Sequence, residues 1–315
     1  MAKTTLELIR ETVRGETALN ESMREHTTLQ VGGAADLLVS PADREDLAAL
    51  VELLAEREVP YFVLGNGSNL VVRDGGIRGA VIQLGQGFRD IERRDDPAGI
   101  PHLRIEAGAP LRTLVRWTVD QGVGGFAEFS GIPATVGGAI AMNAGAWGAM
   151  IGERVVSLEL MDRTGACQMV PREALRFAYR RLELPAGAII LGALLRGDVS
   201  TPAVVKERAK ELYRQRKERQ PLREPSAGCV FRNPATGSAG ELIDGCGLKG
   251  VRVGDAQISP VHGNFIVNVG HATASQVVSL IGMIQERVYI KHRTKLEPEV
   301  HIVGDWEKGK LRITE

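Results

Sequence analysis

The chain has little that would tie it to another polymer, a metal or a membrane. Its 315 residues carry 39 basic and 39 acidic side chains, so a zero net charge gives no global pull toward nucleic acid or a lipid surface. The cysteines, Cys167, Cys229 and Cys246, are odd in number and include no C-x-x-C pair. That argues against a disulfide framework and a zinc site, leaves no metal expected, and fits a reducing cytosol. The longest apolar run, Ala186 to Leu195, ends at Arg196 and is far too short to cross a bilayer. The N-terminal MAKTTLELIRETVRGE is charged throughout and does not read as a secretory signal. No G-x-x-x-x-G-K-[ST] occurs, which excludes a P-loop, and there is no repeat or low-complexity tract. A soluble, cytoplasmic protein is expected, with about two domains at roughly 150 residues each.

What is present is glycine in two places. FAEFSGIPATVGGAIAMNAGAWG, Phe126 to Gly148, sets Gly131, Gly137, Gly138, Gly145 and Gly148 among small residues and almost no charge. Such a stretch packs a core poorly but lets main-chain N–H groups approach a bulky or anionic ligand. LGNGSNL, Leu64 to Leu70, is a second such loop upstream. It is not a dinucleotide fingerprint, because Leu70 stands where the third glycine belongs. LVVRDGG then reads as a strand and turn, not as the helix that would receive a pyrophosphate. A strand–loop–strand phosphate cradle and a plain hairpin both fit this loop alone; its pairing with the Gly131 segment favours a ligand, a phosphate-bearing cofactor held from both sides.

Periodicity places the remaining elements. Leu47, Leu50, Val51 and Leu54 predict a helix closed by Val59-Pro60, and Leu111 to Val119 predicts another. Tyr61 to Leu64, Leu70 to Arg73, Ala80 to Leu84, Leu103 to Glu106 and Val155 to Met161 read as strands. Gly197 to Pro202 reads as a linker ahead of a charged helix from Ala203 to about Arg219, with Val205, Ala209 and Leu212 as its apolar stripe. Thr273 and Gln276 form a possible capping box for a helix with Val277, Ile281, Ile284 and Val288 on its core face. The last strand, Leu296 to Val303, contains Pro298 and belongs at an edge or bulge.

Several motifs in order carry a resemblance. HTTLQVGG (His26 to Gly33), LGNGSNLVVRDGGIRG (Leu64 to Gly79) and SGIPATVGGAIAMNAGAWG (Ser130 to Gly148) come first. FAYR (Phe177 to Arg180), PSAGCVFRNP (Pro225 to Pro234), GLKG (Gly247 to Gly250) and LEPEV (Leu296 to Val300) follow. Together the chain resembles UDP-N-acetylenolpyruvoylglucosamine reductase over nearly its whole length, in the short form without a tyrosine-bearing substrate loop, for which Arg180 to Pro225 leaves little room.

The resemblance implies an α+β protein. Its FAD-binding region would be of the vanillyl-alcohol-oxidase type over residues 1–196, in subdomains of about 1–84 and 85–196. A C-terminal α+β substrate domain over 203–303 and a tail over 304–315 would follow. It implies that Gly65, Asn66, Gly67, Ser68 and Asn69 hold the FAD diphosphate. The rest of the cofactor would lie along Gly131, Ile132, Pro133, Thr135, Gly138, Asn143, Ala144 and Gly145. NADPH would be the co-substrate, a UDP-sugar the substrate, and the chain a cytoplasmic monomer without nucleic-acid or membrane partners. In the implied reaction NADPH reduces the flavin, a hydride passes to C3 of the enolpyruvyl ether, and C2 then receives a proton.

Residue roles carry over by motif position. Arg180 would stabilise the enolate, its planar fork of donors suiting a carboxylate, against the plainer reading of a surface arginine. Glu299 would assist; strand alternation puts Glu297 on the same face, so only the resemblance chooses between them. Cys229 stands where the family usually has serine as the proton donor to C2. A thiol is mostly protonated near neutrality and suits that work, although a cysteine is often just a small buried hydrophobe. Asn233 and Lys217 match substrate-contacting positions, the lysine on a basic helix that could equally be a solvated face. His262 fits either a substrate contact or a core hydrogen bond. A flavin oxidase of a sugar alcohol and a non-catalytic nucleotide-binding module are the rival readings; PSAGCVFRNP and LEPEV argue against the first, and the Arg180, Cys229 and Glu299 motifs against the second.

Overall fold

A computed structural model describes residues 4–235 and 237–306. The first module opens with α1 (Thr5–Thr12), started by Thr4, which accepts from the Glu7 N–H while the Glu7 carboxylate accepts from the Thr4 N–H. It continues through β1 (Glu16–Ser22), β2 (Ala34–Ser40), α2 (Arg44–Glu56), β3 (Tyr61–Leu64), β4 (Leu70–Val72) and β5 (Ile77–Gln83). Four of these strands form one sheet, ordered β1-β2-β5-β3, with β5 parallel to both its neighbours. The expected apolar stripe of α2 is fully buried at Leu47, Leu50, Val51 and Leu54. A central parallel strand is covered on both faces. Accordingly Ala80 and Ile82 of β5 enter the main core, while Ile77 and Val81 enter a smaller cluster with Met23, Leu64 and Val72.

The glycine loop Gly65–Asn69 is not a hairpin. β3 pairs with β5, whereas β4 leaves that sheet and pairs in parallel with the strand His301–Val303 at the far end of the chain. The loop therefore spans two sheets and lines the space between them.

The second module is a five-stranded antiparallel sheet. It contains β6 (Ile91–Asp95), β7 (Pro101–Glu106) and strands Val155–Met161, Cys167–Pro171 and Ile189–Arg196. The apolar run noted in the sequence supplies the central strand Ile189–Arg196, buried along nearly its whole length. This sheet carries α3 (Leu111–Gln121), closed by Gly122 at φ +65, and the short α4 (Val136–Ala141). The long helix α5 (Pro202–Arg219) starts at a Thr201 cap with Pro202 in its first turn. It packs on α3, burying Val205 and Leu212. The expected linker before it is partly ordered, since Asp198–Val199 pairs with Val123–Gly124.

The third module is a four-stranded antiparallel sheet, Ser226–Cys229, Phe265–Asn268, Ala256–Ile258 and Arg252–Val253, with α6 (Ala239–Gly245) and α7 (Ala274–His292). The capping box at Thr273 and Gln276 is formed, and Val277, Ile281, Ile284 and Val288 are buried. Asp74 of the first module accepts from the N–H groups of Ala274 and Ser275, fixing the start of α7 to the turn after β4. The final strand is shorter than expected, His301–Val303 only. Pro298 has no N–H to give a ladder, and residues before His301 make a single bridge, Phe231 to Pro298. Of the tail, Asp305 bridges to Gly76 and Trp306 lies under Arg73, while 307–315 lie outside the described residues.

Candidate active site

The three modules surround one cleft of about 2260 Å³, more than twice the roughly 300–1,000 Å³ of an ordinary small-molecule pocket. Its floor is the pair of glycine segments. Gly67 has φ +61, and a Cβ there would stand 2.2 Å from the His26 carbonyl oxygen, so only glycine fits. A Cβ on Gly65 would meet Thr135 Oγ1 at 2.8 Å and Gly138 Cα at 3.5 Å. The two loops thus face each other at close range, with the Thr135 hydroxyl between them. Asn66 Nδ2 ties them, donating to the Pro133 carbonyl at 2.9 Å. Among the described residues the N–H groups of Asn66, Gly67 and Ser68 have no protein acceptor. Successive free N–H groups in a turn make an anion-binding concavity. A diphosphate with a flat ring system beyond it fits this cradle. By contrast α4 offers no donors, because the N–H groups of Val136, Gly137 and Gly138 already serve Ala109, Ala107 and Thr135.

Arg180, Cys229 and Glu299 converge on one wall. Arg180 sits at the turn of the hairpin Arg176–Ala178/Arg181–Glu183 with φ +55, an uncommon conformation for a non-glycine residue. Its Nη1 donates to the Gly145 carbonyl at 3.1 Å, and its Nε is 2.8 Å from Glu299 Oε1. That contact is a close ion pair between the two side chains. Glu299 is held by its main chain: its N–H donates to the Val230 carbonyl at 2.7 Å, and its carbonyl accepts from Asn69 Nδ2 at 3.1 Å. Val230 follows Cys229, so acid and thiol lie on adjacent segments, and Asn69 links the first glycine loop to the segment of Glu299. Residues 296–300 are not a strand, and the alternation that left Glu297 open does not hold; Glu297 is exposed while Glu299 lines the cleft.

Burial dominates the titration of these groups. The Cys229 thiol is pushed up to about 12, first by burial and then by the Glu299 charge, with Arg180 and Arg216 opposing. Burial also raises the Glu299 carboxyl, against the pull of Arg180 and Arg232.

The sequence reading missed Arg216. It continues the α5 stripe of Val205, Ala209 and Leu212 at helical spacing, a cation where an apolar residue belongs, and this was the available signal. It is buried and lines the cleft, giving Nε to the Ser130 carbonyl at 2.9 Å and Nη1 to Gln220 Oε1 at 3.2 Å. It has no acidic partner among the described residues, and burial lowers its pKa. A buried guanidinium held only by neutral acceptors calls for an anion.

Among the other expected residues, Gly131, Ile132, Pro133, Thr135, Gly138, Ala144 and Gly145 line the cleft with the first loop. Asn143 does not line it. Its Nδ2 donates to the Ala178 carbonyl at 2.9 Å and its Oδ1 accepts from the Gly152 N–H at 3.1 Å, which anchors the Arg180 hairpin. Asn233 accepts from the Ala239 N–H at the start of α6, outside the lining. Lys217 is exposed on α5, one residue past Arg216 and turned from the cleft wall. His262 is also outside; its Nδ1 accepts from the Asn264 N–H at 3.1 Å and its ring meets Phe265 edge-on at 5.0 Å.

Comparison with known proteins agrees with this geometry. Residues 35–170 match the FAD binding domain family, and residues 220–303 match the C-terminal domain of UDP-N-acetylenolpyruvoylglucosamine reductase. The reductase of Geobacter metallireducens is 45% identical over 94% of this chain and 97% of its own length. That of Pelobacter propionicus is 44% identical over 93% and 97%. The crystal structure of the Thermus caldophilus reductase superposes with a TM-score of 0.76 at 39% identity, covering 92% of this chain and 98% of that one. A glycine-floored cleft shaped for FAD and matches of this extent lead to one conclusion: the chain belongs to the UDP-N-acetylenolpyruvoylglucosamine reductase family.

Proposed function

We propose that this chain reduces UDP-N-acetylglucosamine enolpyruvate to UDP-N-acetylmuramate, a peptidoglycan precursor, and that Arg180, Cys229 and Glu299 carry the step after hydride transfer. The observation that carries this reading is their convergence on one wall of the glycine-floored cleft. When bound, FAD supplies the hydride chemistry, taking a hydride from NADPH and giving it to C3 of the enolpyruvyl group. Gly65 to Asn69 would hold its diphosphate through the free N–H groups, with the Gly131 to Gly145 segment along the remainder. The units 1–84 and 85–196 would together hold the cofactor, and 203–303 the substrate.

Arg180 binds the carboxylate of the enolpyruvyl group, where negative charge gathers as C3 is reduced. Its planar fork of donors suits a carboxylate, and a preorganised cation in a cleft of low dielectric is worth far more than one in water. Arg216 adds a second fixed cation on the same side. Cys229 gives its proton to C2. A thiol held near 12 keeps that proton through the whole physiological range, and the resulting thiolate is stabilised by the two arginines. Glu299 orients Arg180 and hydrogen-bonds the enolate when it carries a proton, which its raised pKa favours. No contact is assigned to Asn233, Lys217 or His262. No described helix is long and apolar enough to cross a membrane, which is compatible with the cytoplasm.

The test is anaerobic. NADPH should bleach the bound flavin, and the enolpyruvyl sugar nucleotide should restore the yellow colour. A flavin that bleaches and stays colourless when that nucleotide is added refutes the proposed substrate.

A further inference from the structure

The outer wall of the cleft holds a tryptophan without a role so far. Trp147 is at the tip of the hairpin pairing Gly145–Ala146 with Ala149–Met150, two residues past the carbonyl that receives Arg180. Its φ is +56 and that of Gly148 is +84, a turn that glycine or asparagine would make with less strain. The ring lines the main cleft and also walls a second cavity of about 470 Å³. Its indole N–H is buried with no acceptor among the described residues, so the resting position does not satisfy the side chain. The Arg219 guanidinium lies over the ring, Cζ 5.8 Å from the centroid, at the outer limit of a cation–π contact. Arg219 has no acidic partner among the described residues.

We propose that Trp147 and Arg219 form a clip for the nucleotide end of the substrate, the uracil stacking between indole and guanidinium with the diphosphate beside the arginine. Stacking a planar base between two planes needs about 3.5 Å on each side, roughly 7 Å in all. The Arg219 Cζ lies 5.8 Å from the ring centroid, so the two groups would part further to admit a base. Aromatic faces and guanidinium planes are the surfaces that hold an unpaired base, and a free arginine suits a diphosphate. The stretch from Arg180 to Pro225 is too short to supply a loop that folds over the nucleotide, so the cover comes from this hairpin and the end of α5 instead. The inference rests on the proposed function.

The test uses the flavin-loaded enzyme with UDP, uridine and inorganic pyrophosphate as probes. UDP should quench tryptophan emission in the parent. W147A should bind UDP about 5–150-fold more weakly, the equivalent of a base–aromatic stack of about 1–3 kcal/mol, while pyrophosphate binding is unmoved. W147F should keep most of the affinity and lose most of the quench, leaving Trp117 and Trp306 silent. R219A, a change at an exposed helix end, should weaken UDP and pyrophosphate together. Flavin content checks that each variant is folded. W147A binding UDP within twofold of the parent, or losing uridine and pyrophosphate alike, overturns the clip. If the parent turns over the sugar nucleotide while W147A binds UDP normally, the clip alone fails; if the parent binds no UDP, the function fails with it.

Discussion

Cys229 should behave as a weakly acidic thiol. Burial and the Glu299 charge outweigh Arg180 and Arg216 and move it from 9.0 to about 12. At pH 8 an unperturbed thiol is about one-tenth thiolate, whereas Cys229 would be about one part in ten thousand, a difference of about a thousandfold. Because half-burial also slows a reagent, the informative measurement is the pH profile of iodoacetamide labelling of the flavin-loaded enzyme, followed on the Cys229 peptide. The rate should rise tenfold per pH unit through 9 and on toward 11. The same shift bears on stability. Between pH 9 and 12 the unfolded chain loses this proton and the native state keeps it, so the native state is disfavoured as pH rises, by about 1.4 kcal/mol per unit. Cys229→Ser, which has nothing to titrate there, should remove that share of the alkaline loss. A labelling plateau near pH 9 would refute the electrostatic argument.

Other expectations follow from single contacts. Cys229→Ala should still let NADPH bleach the flavin but slow reoxidation by about 10²–10⁴-fold, the usual cost of losing a general acid, while Cys229→Ser keeps appreciable turnover; stopped-flow absorbance separates the two half-reactions. Arg180→Lys should cut turnover heavily without loss of FAD, since an ammonium cannot reach both the Gly145 carbonyl and the substrate carboxylate; flavin content and kcat measured together decide it. Gly67→Ala should yield a protein poor in flavin, because the new methyl group would stand 2.2 Å from the His26 carbonyl in a loop already at φ +61; the ratio of flavin to protein absorbance reports it. Thr273→Ala should lower stability by about 1 kcal/mol in a urea melt, the cost of a lost N-cap, with turnover retained.

Much of the fold was legible along the chain because its signals are local. The stripe of α2, the capping box of α7 and the strand Tyr61–Leu64 each follow from a few consecutive residues, and the structure has them where periodicity puts them. The strand over Leu296–Val303 was overextended because Pro298 removes a donor that alternation alone does not count. The glycine segments are legible as loops for the same local reason, whereas the roles of Arg180, Cys229 and Glu299 came only with the resemblance.

What the sequence determined by itself was composition and pattern: glycine loops fit for a phosphate cofactor, and helices and strands with their buried faces. Only the tertiary structure decided which side chains meet. The Gly65–Asn69 loop fits a hairpin or a strand–loop–strand cradle until β3 and β4 are seen to join different sheets, a pairing set by the distant strand His301–Val303. Arg216 and Lys217 are neighbours in sequence, yet a turn of about 100° per residue along α5 buries one in the cleft and leaves the other in solvent. Asn143, in the same glycine segment as the cofactor floor, turns instead to anchor the hairpin of Arg180. Long-range packing chooses among faces that local sequence leaves equivalent, and the chemistry of this cleft depends on that choice.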